Sequence, residues 1–306
     1  MMAVARSGAA TYGGGAPIVL IGVRMQATHA LPCIAQARQF DPARHVPFVI
    51  ERTHVGWIRR QDCALLGRWP AAFDIGSNAV TLADDLRGVE ARSRTLAEVI
   101  AALAEQGCIP GWRDETYAIR NTFDSAPLAL IERAASRFFG TLTYGVNVNG
   151  LVATPAGTSM WIATRSLSKQ TNPGMLDTLV GGGIGWGYGV FEALLKESWE
   201  ESGVPRHLAE SARAGGTLQV LLELPEGTHA EQLYVYDLTL PADFKPENQD
   251  GEVSEHRLMA LPEVLDQIRA GTLTVDASLS ALDHMLRVGA IERADCLGMD
   301  ALYQAP

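Results

Sequence analysis

Cysteine is scarce in this chain: Cys33, Cys63, Cys108 and Cys296 are the only four in 306 residues, far apart and without a CxxC pair. That spacing offers neither a disulfide framework nor a zinc site, so free thiols in a reducing cytoplasm are expected. Long apolar runs are lacking too. The best candidate, Ala16 to Val23, contains Pro17 and Gly22 and falls well short of the roughly 18 apolar residues of a spanning helix. The seven histidines show no H-x-E or HExxH arrangement, and no catalysis is expected of them. Positive charge is in deficit, with 25 Lys and Arg against 35 Asp and Glu and a net charge of −10. The mean surface field repels polyanions, which argues against nucleic acid and anionic membrane as partners.

What is present suits a folded protein. Hydrophobic residues make up 47% and charged residues 20%, away from the composition of disorder, and the length gives room for two domains. Residues 1–27 are rich in Ala and Gly. The run Gly13 to Gly15 interrupts any signal-peptide segment, so a loose extension is expected, with Met25 as an alternative start. Residues 28–139 read as one α+β unit and 140–306 as a second, because the pattern changes at Gly140.

In the first part, Thr95 and Glu98 make a capping-box pattern for a helix ending at Gly107. A second helix is expected from Pro127 to Gly140, with Leu128, Ile131, Ala135 and Phe138 at helical spacing. Short apolar runs at 47–51 and 55–58 read as strands. After Gly140 the period becomes two: Leu142, Tyr144, Val146 and Val148 alternate with Thr141, Thr143, Gly145 and Asn147. Asn149 and Gly150 predict a tight hairpin turn. Further strands are expected at 159–164, 176–180, 216–224 and 232–240, and helices at 190–202, 261–270 and 277–288. Strands around a few helices, without regular βαβ alternation, predict an α+β sandwich rather than a doubly wound sheet.

The most informative stretch is 179–204. Gly181, Gly182, Gly183, Gly185 and Gly187 free the backbone to approach a ligand. No register gives G-x-G-x-x-G, because the third glycine falls on Trp186, Tyr188 or Glu192, and no Gly-Lys-Ser/Thr closes a phosphate loop. In the helix that follows, Glu197, Glu200 and Glu201 stand at i, i+3 and i+4, so three carboxylates share one face. Phe191, Leu195 and Trp199 fall on another face and are expected to pack inward. Like charges at those spacings cost roughly 0.2–0.5 kcal/mol per pair in an isolated helix. A divalent cation turns that repulsion into coordination, and Mg²⁺ or Mn²⁺ suits oxygen donors of this kind. An acidic face that is merely solvated is the plainer alternative.

This stretch resembles the Nudix box, G-x5-E-x7-R-E-U-x-E-E-x-G-U with U aliphatic. With Gly182 first, Glu197, Glu200, Glu201, Gly203 and Val204 fall on pattern, while Tyr188, Lys196 and Ser198 replace the first Glu, the Arg and the aliphatic residue. Segments 111–119, 127–135, 161–169, 173–177 and 250–253 resemble the Nudix subfamily related to fungal thiamin pyrophosphokinase, whose members carry an extra domain before the Nudix fold. The resemblance spans about residues 28–290. It implies an α/β/α sandwich with a mixed sheet, preceded by a smaller α+β domain, and metal-dependent hydrolysis of a diphosphate linkage in damaged thiamin diphosphates such as the oxo and oxy forms.

Glu197 and Glu201 are then expected as metal ligands, and Glu200 as a third ligand or the base. A backbone carbonyl near Gly182 is a further ligand implied by the resemblance. Glu252, in Asp250-Gly-Glu-Val, is the candidate acid from a later loop, against a plain turn before a strand. Arg165 and Lys169 are candidates to neutralise substrate phosphates, and Trp186 to stack on a pyrimidine or thiazole ring; solvent-facing charges and packing against the accessory domain are the plainer readings. A small-molecule diphosphate is the expected partner, and a homodimer is left open. The alternatives are a nucleoside-diphosphate substrate of the 8-oxo-dGDP or ADP-ribose type, and a non-catalytic ligand sensor.

Overall fold

Alternating apolar residues build the first sheet. In the computed structural model, which describes residues 31–305, β1 (His45–Ile50), β2 (Thr53–Arg59), β3 (Phe73–Ile75) and β4 (Val80–Leu82) pair in the order β2-β1-β4-β3. Helix α1 (Pro32–Gln36) precedes them, the short α2 (Cys63–Leu66) interrupts them, and α3 (Gly88–Glu105) covers the sheet. Phe48, Ile58 and Leu82 from the strands meet Leu96, Ile100 and Leu103 from α3 in one core. A two-stranded hairpin, β5 (Thr116–Ile119) with β6 (Ala129–Glu132), and the short α4 (Ala135–Phe139) complete this part. The expected extension over 1–27 and the alternative start at Met25 lie outside the described residues.

The second sheet has seven strands: β7 (Leu142–Thr154), β8 (Gly157–Arg165), β9 (Leu176–Asp177), β10 (Val180–Gly183), β11 (Arg213–Leu224), β12 (Gly227–Thr239) and β13 (Val253–Ala260). The main order is β11-β12-β7-β8-β13, with β10 on β7 and β9 on β8. Only β12 and β7 run parallel, so the sheet is mixed. One face packs on α5 (Val190–Ser202) and α6 (Arg206–Ala209) through Tyr144, Val146, Val148 and Leu194. The opposite face packs on α7 (Leu261–Arg269) and α8 (Val275–Arg287) through Leu151, Leu233, Val235 and Leu282. Period-two burial on β7 thus feeds two cores, giving an α/β/α sandwich. Helix α1 and the terminal α9 (Met299–Leu302) belong to the α7–α8 layer, where Ile34 and Leu302 are buried. Among the described residues no helix is long and apolar enough to cross a membrane, and all four cysteines are free.

Several expected boundaries move, each for a local reason. The capping box at Thr95 does not open a helix: α3 begins at Gly88, and buried Arg92 holds its first turns by donating to the carbonyls of Leu86 and Leu128. The helix expected from Pro127 is a strand over 129–132, because pairing with 116–119 satisfies its backbone; only Ala135–Phe139 is helical, ending at Gly140 as expected. Asn149 and Gly150 make no turn. The Asn149 amide is buried and donates to the Ser280 carbonyl and Asp237, and Gly150 lies against Leu179, so β7 runs on to Thr154. The helix expected at 190–202 forms with those bounds.

Gly140 joins the two parts in a left-handed conformation (φ 57°), where a Cβ would stand 2.2 Å from the Trp57 carbonyl oxygen. Gly140→Ala is therefore expected to destabilise the protein by about 2 kcal/mol or more. Gly67→Ala, at φ −58° with its nearest contact at 3.5 Å, should stay within about 0.5 kcal/mol of wild type; urea unfolding of both variants checks the pair.

Candidate active site

Strand β10 brings the glycines to the site. It runs antiparallel to β7, with Gly182 opposite Val146 and Gly183 opposite Gly145, and passes through 184–189 into α5. The helix starts at Gly189, whose N–H donates to Glu192 across 3.0 Å, and stops at Gly203 in a left-handed turn (φ 59°).

The face that α5 turns inward carries Ala193, Leu194, Ser198, Glu201 and Ser202, while Phe191 and Trp199 are exposed. This corrects the expectation that Phe191 and Trp199 pack inward. Leu194, Ser198 and Glu201 lie at i, i+4 and i+7 on one stripe, and Trp199 is two residues, about 200° of rotation, from Glu201. Burying Glu201 therefore turns Trp199 to solvent. Small Ser198 and Ser202 let the helix approach, and the Ser202 hydroxyl donates to the Leu179 carbonyl at 2.7 Å. Ser198, which stands at the aliphatic position of the box, is fully buried.

Four carboxylates gather at the junction of α5, β10 and the loop before β13. Glu201 accepts the Gly181 N–H at 2.7 Å. The Glu197 carboxylate lies over Gly182, where a Cβ would stand 2.4 Å from its Cδ. Lys196 Nζ bridges Glu197 (3.1 Å) and Glu200 (2.6 Å). Lys169 Nζ bonds Glu252 and lies 3.7 Å from Glu201. Two ammonium groups thus bridge the four acids in pairs. The donor set consists of hard oxygens, and a glycine cradle holds one of them, so the residues fit a divalent cation.

Burial pushes the Glu201 carboxyl up to about 8, opposed by Lys169 and the Gly181 N–H. Burial likewise raises Glu197 against the pull of Lys196. It pulls Lys196 down, but the bonds to Glu200 and Glu197 outweigh it and hold that ammonium well above its ordinary range. Lys169 is lowered by burial, with Glu201 opposing.

The remaining expected residues divide. Lys169 reaches the acids. Arg165 spends its donors on Asp177 (2.6 Å) and on Thr171, holding the loop over 166–175. Trp186 is 42% exposed in the glycine loop, and its backbone N–H donates to Thr116 of β5 at 2.8 Å.

Two features escape the sequence reading. The β5–β6 hairpin lies on the glycine loop: the Tyr117 hydroxyl occupies the place of a Cβ at Gly183, and Arg113 reaches Glu252 at 3.5 Å. On the α8 side of the sheet, His229, Glu231 and Asp276 bring one ligand atom each within 4.8 Å of one another. Burial and Asp276 push Glu231 up, burial and Asp177 push Asp276 up, and burial with Arg137 and Arg133 pushes His229 down to about 3. The signal was in β12, where His229 and Glu231 share parity with buried Leu233 and Val235.

Gly182→Ala is expected to displace Glu197 and remove activity while leaving the circular dichroism spectrum and cooperative unfolding in place. Glu201 also gives stability a pH signature in chelator. A carboxyl raised in the fold binds a proton that the unfolded chain releases, so stability falls as pH rises from about 4.5 to about 8 and then levels. The difference between urea midpoints at pH 5 and pH 8 should shrink in Glu201→Gln, the remainder coming from Glu197, Glu231 and Asp276, which are raised in the same sense.

The chain matches two family models, the domain of unknown function DUF4743 over residues 26–143 and the NUDIX domain over residues 143–277. It is 38% identical to Nudix hydrolase 20, chloroplastic, of Arabidopsis thaliana over 269 residues, covering 85% of this chain and 72% of the relative. Nudix hydrolase 24, chloroplastic, of the same plant is 38% identical over 262 residues with the same coverage. Among solved structures, DR0079 from Deinococcus radiodurans is similar at 26% identity and a TM-score of 0.42, over 56% of this chain and 98% of that one. With relatives of that identity and coverage, this chain belongs to the Nudix hydrolase family.

Proposed function

We propose that the chain hydrolyses the diphosphate of a damaged thiamin diphosphate, such as oxythiamin diphosphate, with Mg²⁺ or Mn²⁺ held by Glu197, Glu200, Glu201 and Glu252 and by a backbone carbonyl near Gly182. The observation that carries the metal assignment is the convergence of these four carboxylates, bridged in pairs by Lys196 and Lys169. The resemblance of the chain to the thiamin pyrophosphokinase-related subfamily supports the substrate, and exposed Trp186 offers a ring to stack on a pyrimidine or a thiazolium.

When bound, a divalent cation acidifies water and neutralises charge developing on the phosphate oxygens. The protein's own work is placement. The Gly181 N–H fixes the Glu201 carboxylate, and the bare α-carbon of Gly182 lets Glu197 lie against the strand. Glu200, at the half-exposed rim, either completes the donor set or takes the proton of the attacking water. Lys169 neutralises phosphate charge, which a protein of net charge −10 must supply locally. Arg165 contributes by bracing the loop that carries Lys169.

The test is release of phosphate from oxythiamin diphosphate, thiamin diphosphate, 8-oxo-dGDP and ADP-ribose, with Mg²⁺, Mn²⁺ or chelator. Oxythiamin diphosphate should give the highest kcat/KM, chelator should abolish turnover, and Glu201→Gln should lower kcat by about 100-fold or more, a barrier increase of about 2.7 kcal/mol. Turnover unaffected by chelator or by Glu201→Gln sinks the metal mechanism, and preference for ADP-ribose sinks the substrate.

A further inference from the structure

Arg113 stands among the acids and cations of the site with most of its hydrogen-bonding capacity unspent. A guanidinium carries five N–H donors. Among the described residues, the side-chain contact Arg113 makes is the long one to Glu252, at 3.5 Å. The other cations of the site are committed: Arg165 to Thr171 and Asp177, Arg133 to Glu115 at 2.6 Å, and Lys169 to Glu252 and Glu201. The Arg113 backbone is held in place, its N–H donating to Glu132 of β6 at 3.0 Å. The hairpin into which its loop leads, three residues on, is anchored to the glycine loop by the bond from Trp186 to Thr116 and by Tyr117 against Gly183.

Charges of both signs surround this side chain. Burial lowers Arg113, as do the neighbouring Arg133 and Arg165, while Glu115 opposes them; Lys169 in turn is pressed by Arg165 and Arg113. Its side chain is 28% exposed, enough for a ligand to reach and too little for full hydration. A partly buried guanidinium with unspent donors can bind an anion, and its planar fork matches two phosphate oxygens at once.

We infer that the β5–β6 hairpin of the N-terminal part completes the active site, with Arg113 binding the terminal phosphate of the diphosphate substrate. This rests on the diphosphate reading above and gives the N-terminal part a function: it carries a substrate-binding residue to a catalytic helix that has only Lys196 of its own sequence as a cation. Arg113 is a binding residue here, and the weak contact to Glu252 is what the phosphate displaces.

Calorimetric titration with methylenediphosphonate in Mg²⁺, using the full chain, reads this subsite without turnover. Arg113→Ala should weaken binding about tenfold or more, Arg113→Lys should restore part of it, and Arg68→Ala, whose guanidinium donates to Gln106 and the Leu65 carbonyl and, among the described residues, touches none of the site's residues named above, should bind as wild type. On substrate, Arg113→Ala should raise KM about tenfold with kcat changed less than about threefold. Equal affinity in Arg113→Ala and wild type overturns the inference, as does an equal loss in Arg68→Ala. Wild type that binds the probe but hydrolyses no thiamin compound overturns the substrate reading alone, and wild type that does not bind the probe overturns both.

Discussion

The site depends on how closely α5 approaches β10. A buried carboxylate is costly unless hydrogen-bonded and paired, and Glu201 meets that condition through the Gly181 N–H and Lys169. The approach is open only because Gly182 has no side chain and because Ser198 and Ser202 are small. Once Glu201 is inside, the helix has no rotational freedom left: Glu197 is set over Gly182, Glu200 at the rim, and Trp199 in solvent. Glycine content in the strand and serine content in the helix are two sides of one packing requirement. A bulkier aliphatic residue at 198 would have to be accommodated by moving the helix that carries the acids.

The same strand organises the opposite face. Gly181 and Gly183 turn toward the α8 side, where the nearest atoms to their absent side chains belong to Asn147, Asp177, Tyr117 and Arg133. Strand β10 is therefore thin on both faces, with the helix carboxylates above it and a second polar group below, extending to Glu231, His229 and Asp276. Tyr117 feels both sides: burial raises its phenol, and the acids that repel its ionised form include Glu231 and Glu197. A change in charge on one face of β10 is thus felt by groups on the other.

What was legible in the sequence followed the strength of the local signal. Helix α5 was readable to the residue because a glycine at each end and three periodic acids agree with its tertiary environment. The strands over 45–50 and 53–59 were readable as short apolar runs at 47–51 and 55–58, and the strand over 157–165 was expected at 159–164. The failures came where long-range pairing overrode local propensity. Residues 129–132 have a helical apolar period yet pair with 116–119, and Asn149-Gly150 is a strong turn signal cancelled by the buried amide bonds to Ser280 and Asp237. Trp199 was misplaced because hydrophobicity argued for burial, whereas the buried stripe was decided by a carboxylate. Glu197, Glu200 and Glu201 were singled out by spacing and resemblance and Glu252 by the resemblance alone, and the fold brings the four carboxylates together. Arg113 lies in the 111–119 segment that carries the resemblance, yet it was given no role, because its contact with Glu252 spans 139 residues of chain.

On the inference drawn for Arg113, the N-terminal part supplies charge that an acidic protein needs at its site. The catalytic helix concentrates negative charge, and a diphosphate adds more, so a neutralised site needs positive charge from several directions. Lys196 comes from the helix itself and is consumed by Glu197 and Glu200. Lys169 comes from the loop after β8, braced by Arg165. From a third direction the β5–β6 hairpin lies against the glycine loop, through the Trp186 N–H bond to Thr116 and through Tyr117 at Gly183. A side chain delivered there must be held by its backbone and not by its charge, since a guanidinium already paired at both edges has nothing to offer a ligand. Arg133, just after β6, donates to Glu115 and lies over the Tyr117 ring, whereas Arg113, just before β5, is fixed through its backbone N–H to Glu132 and makes only a long side-chain contact among the described residues. On the inference above, the two ends of the hairpin supply one cation that shapes the wall and one that binds.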